Sequence, residues 1–382
     1  MMRASISNLL EESATGYWGV EPGTAAKDVK VVRNGDMKSE GGIRWEKLPS
    51  RSFSLAEVKK SRLRQGDIIL TTSADCGQVS LIDNEPAELV CATNFVRILR
   101  FSPRVNPRYA FHYMRTRGFR DSLRPYIRGT TMKNLSTREA FPVVELPIPT
   151  LEEQERVAAI LDHVDALRAK RRQALTHVES LEGAVYAHLL SSHDWPSFRL
   201  DEVASTTSGG TPNRAKPENY EGGISWVKSG ELHSGLVTET SESISEVGLA
   251  SSSAKLMPRG TVLIAMYGAT AGVVSQLGID AATNQAVCSI TPGPGLNASY
   301  LAAALKSMSS QLRDLRSGGA QPNLSQTVIR ALKIKVPPIH VQRKFEHTMV
   351  RVAKERQHVE LAAATGDKLF ELLQSRAFRG EL

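Results

Sequence analysis

From Leu151 onward, apolar residues recur three and four positions apart. Val157, Ile160, Val164, Leu167, Ala174, Val178, Leu181 and Val185 fall on one stripe, interrupted by Arg171. This is the spacing of a coiled-coil seam. Glu152, Glu153 and Glu155 crowd its first turn, where negative charge complements the helix dipole. The pattern stops near Trp195-Pro196. A second stripe follows Val341 with Phe345, Met349, Val352, Val359, Ala363, Phe370, Leu373 and Ala377. Arg356 interrupts it, and Gly366 is a weak point for a helix. Each predicted helix spans roughly 60 Å. The rest of the chain reads as short β-rich runs, such as residues 67–71 and 261–266, split by Gly, Pro and Asn. Helices are predicted after Pro107 and after Ala298.

The two stripes belong to a larger repetition. Val32-Arg-Asn-Gly-Asp-Met37 answers Val227-Lys-Ser-Gly-Glu-Leu232, and Arg64-Gln-Gly-Asp-Ile-Ile-Leu70 answers Pro258-Arg-Gly-Thr-Val-Leu-Ile264. Cys76-Gly-Gln-Val-Ser80 answers Ala271-Gly-Val-Val-Ser275, and Ala92-Thr-Asn94 answers Ala282-Thr-Asn284. Asn106-Pro-Arg-Tyr109 answers Asn297-Ala-Ser-Tyr300, and Asn134-Leu-Ser136 answers Asn323-Leu-Ser325. Last, Pro149 with Gln154 answers Pro337 with Gln342. The offset drifts from about 195 to about 188, as small loop insertions produce. Matches kept in one order along the chain mean an internal duplication, and a period this long excludes a solenoid.

The expected fold class is α/β (α+β). Two duplicated globular domains, 1–150 and 194–338, are separated by two long antiparallel coiled-coil helices, 151–193 and 339–382, in a pseudo-two-fold arrangement. Each helix could instead pack on its own domain, but sustained three–four spacing favours a helix partner. Two related modules on a rigid strut suggest a bipartite DNA site with a fixed spacer, since half-sites on one DNA face repeat with the helical turn.

Composition narrows the setting. The 382 residues are 41% hydrophobic, enough for packed cores. Net charge is +8, which favours a polyanionic partner such as nucleic acid. Cys76, Cys91 and Cys288 are not closely paired, which argues against a disulfide scaffold or zinc finger and fits a reducing compartment. With no long apolar run at the start or elsewhere, the expectation is a chain without signal peptide or membrane span, acting in the cytoplasm.

Catalytic signatures are missing. The dipeptide Gly-Lys of a phosphate loop never occurs, and the nine His form no metal-ligand motif. Glu57-Val-Lys59 has nuclease-like spacing but no echo in the second copy, so it reads as a solvated charged segment. Asn106-Pro-Arg-Tyr109 approaches the Asn-Pro-Pro-Tyr of adenine methyltransferases, but the second Pro is Arg and the duplicate abolishes it. A helix cap at Asn106 with Pro107 at the first helical position accounts for it.

Taken together, Gly66-Asp-Ile-Ile-Leu70, Gly260-Thr-Val-Leu-Ile264, Ala282-Thr-Asn-Gln-Ala-Val287, the paired Asn-Leu-Ser loops and the two proline-then-glutamine helix starts resemble the DNA-specificity subunit of Type I restriction–modification systems. The ending Ser375-Arg-Ala-Phe-Arg-Gly-Glu-Leu382 resembles that family's C-terminus, and Ser208-Gly-Gly-Thr-Pro212 its domain start. The first copy lacks Gly-Gly-Thr-Pro and begins through Gly16-Tyr-Trp-Gly19. The resemblance implies two target recognition domains, each reading half of an asymmetric split site in double-stranded DNA. It implies that the long helices set the spacer and dock two methyltransferase subunits, with restriction (translocase) subunits completing the complex. The chain itself would then be non-catalytic and cofactor-free. S-adenosylmethionine, ATP and Mg would belong to the partners. A structural adaptor, or a standalone DNA-binding regulator, is the alternative.

Candidate DNA contacts lie in polar loops after β runs, where Arg, Lys, Asn, Gln and hydroxyls reach groove edges. In the first domain these are Thr71, Thr72, Ser73, Arg128, Thr130, Thr131 and Lys133; in the second, Tyr267, Thr270, Arg316 and Gln321. Ser136-Thr-Arg-Glu139 fits a capping box, so Asn-Leu-Ser itself reads as a helix start. Gln154, Arg171, Gln342 and Arg356 are candidates for partner-subunit docking. The two arginines set register, contact a partner, or snorkel from the seam edge to solvent.

Overall fold

A computed structural model describes residues 2–315 and 323–382. The chain forms two compact units. One joins the residues up to Arg171 to Ala362–Leu382; the other is Arg172–Leu361. Both units are mixed sheet and helix, and both follow the same plan.

In the first unit, an antiparallel sheet runs in the order Leu10–Thr15, Val96–Phe101, Ile68–Thr71, Val79–Leu81. Beside it, Ser50–Phe53 pairs with Lys27–Val32, which pairs in parallel with Val90–Ala92. The central strand is apolar at consecutive positions because both of its faces are covered. Ile68 and Leu70 enter one core with Phe111 and Met114, while Ile69 enters another with Val32 and Ala92. The second unit repeats this. Ala204–Ser208, Val287–Pro292, Val262–Ala265 and Val274–Leu277 form the matching sheet, extended by Leu236–Val237. Val262 and Ile264 face one core, Leu263 and Ala265 the other. Ile224–Val227 pairs in parallel with Ala282–Thr283, as its counterpart does.

The duplicated signatures take up duplicated jobs. Asp36 accepts the Arg33 N–H at 3.0 Å, and Glu231 accepts the Lys228 N–H at 2.7 Å, each closing a short 3-10 turn after a strand. Asn106 caps Pro107–Met114 by accepting from the Arg108 and Tyr109 N–H groups, and Asn297 caps Ala298–Ser307 through the Tyr300 N–H. Asn106 therefore holds a helix, not a flipped base. Glu57 likewise caps Leu55–Ser61 with Ser54. The expected capping box at Ser136 is a partial correction. Thr137–Ala140 is helical, but the Ser136 side chain makes no cap bond and Glu139 pairs with Arg128. In the second copy Ser325 does cap, accepting from the Val328 N–H.

The long helices are Leu151–Ser191 and Ile339–Ala377. Within each unit they run antiparallel. In the first, Arg168 meets Asp367 at 2.6 Å and Arg171 meets the Ala362 carbonyl at 3.0 Å, while Arg156 contacts Leu382. In the second, Glu179 lies 3.9 Å from Arg356, and Tyr186 packs edge-on against Phe345. The seam expected of the second helix is present: Phe345, Phe370 and Ala377 are buried, with Met349, Val352 and Val359 half-buried. The seam expected of the first helix is present but broken: Val157 is buried and Ile160, Val164, Ala174, Val178 and Val185 are half-buried, whereas Leu167 and Leu181 are 39% and 41% exposed. Ala158 and Leu161 are buried beside it, and Asp165 and Arg168 are half-buried. Its middle is polar because Asp165 and Asp367 both pair with Arg168. Gly366 is buried where a Cβ would collide with the Arg171 guanidinium, so it is a point of close approach as well as low helix propensity.

The helices are also rooted in the sheets' domains. Val157, Ala158, Leu161, Phe370 and Ala377 surround Tyr109, and Tyr186 and Phe345 surround Tyr300. Gln154 and Gln342, expected on a docking surface, belong here instead. Both are fully buried. The Gln154 Oε1 accepts the Asn106 N–H at 2.8 Å, and its Nε2 donates to the Arg104 and Pro149 carbonyls at 3.2 and 3.0 Å. Gln342 does the same with Asn297, Gly295 and Pro337. A primary amide offers one acceptor and two donors in a fixed plane, which three converging backbone groups consume. Nothing of either side chain is left for a partner.

Candidate nucleic-acid interface

Several loops of the first unit meet beyond the end of strand Ile68–Thr71. The polar side chains nearest the strand face inward. Thr71 is fully buried; its hydroxyl donates to the Asp75 carbonyl and accepts the Gln78 N–H at 3.0 Å. The Thr72 hydroxyl donates to the Phe95 carbonyl at 3.1 Å, and the Ser73 hydroxyl to the Asn134 Oδ1 at 2.6 Å. Burial of Thr71 and Ser73 corrects these two expected DNA contacts to framework, while Thr72 is half-buried. A strand that ends in a crowded turn must satisfy its own backbone groups, and short hydroxyls do so locally. Ala74, in the left-handed region at φ 62°, donates its N–H to the Lys133 carbonyl at 2.9 Å. The Asn34 amide donates to the Ser73 carbonyl at 2.6 Å. The result is a rigid seat for the segment that follows.

That segment is a short hairpin between Ile127–Arg128 and Asn134–Leu135. Gly129, at φ 100°, sits where a Cβ would strike the Met132 carbonyl, so the turn is closed tightly. Arg128, Thr130, Thr131, Met132 and Lys133 are all exposed. The Arg128–Glu139 pair is 2.6 Å apart but solvent-screened, and such a pair exchanges readily for a phosphate. Beside the hairpin lies a surface that the choice of loop residues missed. Residues 115–139 carry seven Arg or Lys against Asp121 and Glu139. Arg115 turns inward to Asp165 at 2.6 Å. Arg117, Arg124 and Arg128 have 91%, 73% and 70% of their side chains exposed, and Arg120, Lys133 and Arg138 are exposed too. The charge run was available in the sequence as a signal.

The second unit presents different chemistry on the same frame. Gly209 and Gly210 pass so close to Thr283 and Ser253 that no Cβ would fit. They hold a loop in which the Thr211 hydroxyl contacts Gln285 and Arg214 stacks 4.7 Å from the Tyr220 ring and 5.3 Å from Trp226. Glu242 bonds Lys228 at 2.7 Å and pairs with Arg214 at 2.8 Å, and these bonds hold its carboxyl below the usual range. Tyr267 is exposed and its backbone bridges to Asn323. Thr270 is half-buried, its hydroxyl 3.4 Å from the Tyr267 carbonyl. Arg316 and Gln321 lie outside the described residues.

The seam arginines have partners within the chain. Arg171 donates to the opposite helix at Ala362, a register contact, so it is not free at the seam edge. Arg356 is exposed and pairs with Glu360 at 2.8 Å. Burial pushes the Cys76 and Cys91 thiols up, and Cys288 up to about 12, which disfavours the thiolate form. Among the described residues no His, Cys, Asp or Glu group could hold a metal ion, and no helix is long and apolar enough to cross a membrane.

Comparison with known proteins agrees with this picture of two like modules. The family model for the Type I restriction modification DNA specificity domain matches residues 24–177 and again 192–359. The chain is 26% identical over 157 residues to the Type I restriction enzyme MjaIX specificity subunit of Methanocaldococcus jannaschii, covering 40% of this chain and 36% of that one. It is 24% identical over 235 residues to the Type I restriction enzyme EcoR124I/EcoR124II specificity subunit of Escherichia coli, covering 59% of this chain and 57% of that one. The matches thus span between about a third and three fifths of those relatives' lengths. The crystal structure of a Type-I restriction-modification system S subunit from M. genitalium shares the fold at a TM-score of 0.60, with 15% identity and coverage of 99% and 96%. With the domain matched twice, over most of its length, this chain belongs to the Type I restriction modification DNA specificity family.

Proposed function

We propose that this chain is the non-catalytic DNA-reading subunit of a Type I restriction–modification complex. Each unit reads one half of a bipartite, asymmetric site in double-stranded DNA. The long helices set the spacer and dock two methyltransferase subunits, and restriction subunits complete the assembly. S-adenosylmethionine, ATP and Mg act on those partners, in the cytoplasm, with this chain holding none of them. The working division is 1–150 and 194–338 for recognition, with 151–193 and 339–382 as spacer helices.

One observation carries this reading: the same frame occurs twice with unlike exposed loops. The 3-10 turns, the capped helices and the locked glutamines repeat, while the first unit exposes an arginine-rich surface beside a hairpin and the second a tyrosine and a stacked arginine. Two half-sites of different sequence call for that combination. In a host carrying the chain and its methyltransferase partner, methylome sequencing should find adenine methylation at one split asymmetric motif, and the purified chain alone should methylate nothing. Methylation by the chain alone, or a symmetric or unsplit motif, would sink the reading. Equal insertions in both helices should lengthen the spacer and leave the half-sites alone.

A further inference from the structure

The two copies differ in one connection that has nothing to do with the basic surface. From Ser80 to Ala92 the chain uses five residues more than from Ser275 to Ala282. Residues 83–88 of this longer connection form one wall of a cavity of about 600 Å3 on the first unit. Its floor is apolar: Ile43, Leu48, Leu81 and Val90 are buried beneath it. Trp45 stands in the lining and is 41% exposed. The size is that of an ordinary ligand pocket, roughly 300–1,000 Å3.

The lining is acidic on a basic protein. Glu46, Asp83, Glu85 and Glu88 face a single cation, Lys30. Two of the four carboxylates shape the loop. Glu85 accepts the Gln65 N–H at 2.9 Å and pairs with Arg62 at 3.0 Å, and Asp83 pairs with Arg108 at 2.9 Å. The Gln65 side chain also donates to the Asp83 carbonyl at 3.1 Å. The inserted wall is therefore anchored rather than loose. Among the described residues, Glu46 and Glu88 have no ion-pair partner. Such a cleft repels phosphates, so DNA is not its occupant. A half-exposed indole over an aliphatic floor asks for an apolar side chain, and the unpaired carboxylates ask for cations beside it.

We propose that this cleft docks a cationic segment of a protein partner, anchored by an apolar side chain on Trp45 and held by Glu46 and Glu88. Because the insertion is confined to one copy, the contact marks one unit only, and a complex built on two similar domains acquires a distinguishable side. The inference stands independently of the DNA-reading role.

The test uses the full chain and a fluorophore-labelled octapeptide of alternating leucine and lysine, followed by anisotropy. Binding should weaken at least tenfold in the Glu46→Lys/Glu88→Lys variant and in Trp45→Ala. It should be unaffected when two exposed helix carboxylates are reversed as Glu152→Lys/Glu371→Lys. Glu46, Glu88, Glu152 and Glu371 are all exposed, so the charge variants fold. A leucine–glutamine peptide should bind at least tenfold more weakly. Equal losses from the helix reversals would reduce the effect to general charge attraction and overturn the proposal. So would unchanged binding in Glu46→Lys/Glu88→Lys, or tight binding of the neutral peptide. Displacement by spermidine at concentrations equal to the peptide's would assign the cleft to a free polyamine instead.

Discussion

Replacing Gln154 by Ala should unfasten the first unit from its long helix. The substitution removes an amide that is fully buried and makes three hydrogen bonds, to the Asn106 N–H and to the Arg104 and Pro149 carbonyls. Each bond contributes about 1 kcal/mol net, and leaving its partner buried and unpaired costs about as much or more. Losing the buried methylene adds about 0.8 kcal/mol. The expected loss is about 3–4 kcal/mol, large against a total stability of about 5–15 kcal/mol. Gln154→Glu separates hydrogen bonding from packing. The carboxylate keeps an acceptor for Asn106 but turns charge toward two carbonyls that need donors. When protonated, it can donate to one of them. The folded state therefore raises this carboxyl above its unfolded value, so the variant is most nearly native at low pH and loses stability as pH rises past about 4–5. Urea unfolding followed at Trp18 and Trp45, both in the first unit, reads the effect, with Trp195 and Trp226 replaced by Phe in every variant compared. A loss below about 1 kcal/mol for Gln154→Ala would refute the reasoning. A Gln154→Glu penalty that does not change between pH 4 and 7 would refute it independently. Gln342→Ala should reproduce the loss in the second unit, read at Trp195 and Trp226 with Trp18 and Trp45 replaced by Phe instead, and leave the first unchanged.

Three further outcomes are expected. Arg117→Glu/Arg120→Glu/Arg124→Glu should weaken DNA binding by the assembled complex and flatten the log–log salt dependence by about three, since each phosphate contact contributes about 0.9 to the slope; an unchanged slope would remove these arginines from the DNA surface. Gly366→Ala should fail to deliver the usual gain of about 1 kcal/mol, because its methyl displaces the Arg171 guanidinium, and the gain should return in an Arg171→Ala background, read by denaturant melts. Asp162→Asn should destabilise the first unit near neutral pH. Burial raises the Asp162 carboxyl, but bonds from His112 and Arg108 outweigh it and hold the group below its ordinary value. Its contribution is thus present above the unfolded value of about 3.9 and is lost as pH falls, so the gap between wild type and variant should close in acid melts.

The duplication could be read from the chain because it rests on residues whose jobs are local. A cap such as Asn106, a turn closed by Asp36 or Glu231, and an apolar strand such as 68–70 each leave a compact signature wherever they recur. The seam of the second helix was legible for a related reason: its buried positions are apolar. The first helix was legible at its two ends but not in its middle, where half-buried Arg168 pairs with both Asp165 and Asp367 while Leu167 turns to solvent. Hydroxyls misled in the same way. Polarity at Thr71 and Ser73 says that a partner exists but not whether it is DNA or a neighbouring turn, and here the Asp75 carbonyl and the Asn134 side chain take the two hydroxyls. Gln154 and Gln342 stood out as a matched pair; what they bind is backbone brought in from some fifty residues away, which no local pattern encodes.

The first unit is also discontinuous: Phe370, Ala377 and Phe378 pack around Tyr109 together with Val157 and Leu161. These halves leave the ribosome with the whole of the second unit, Arg172–Leu361, made between them. At elongation speeds of about 5–20 residues per second the apolar face at Tyr109 waits on the order of ten to forty seconds for its cover. The continuous unit can finish folding first. Premature termination between Leu361 and Phe370 would therefore release a chain with one sound half and one sticky half, a natural client for chaperones and a clear mark for proteolysis.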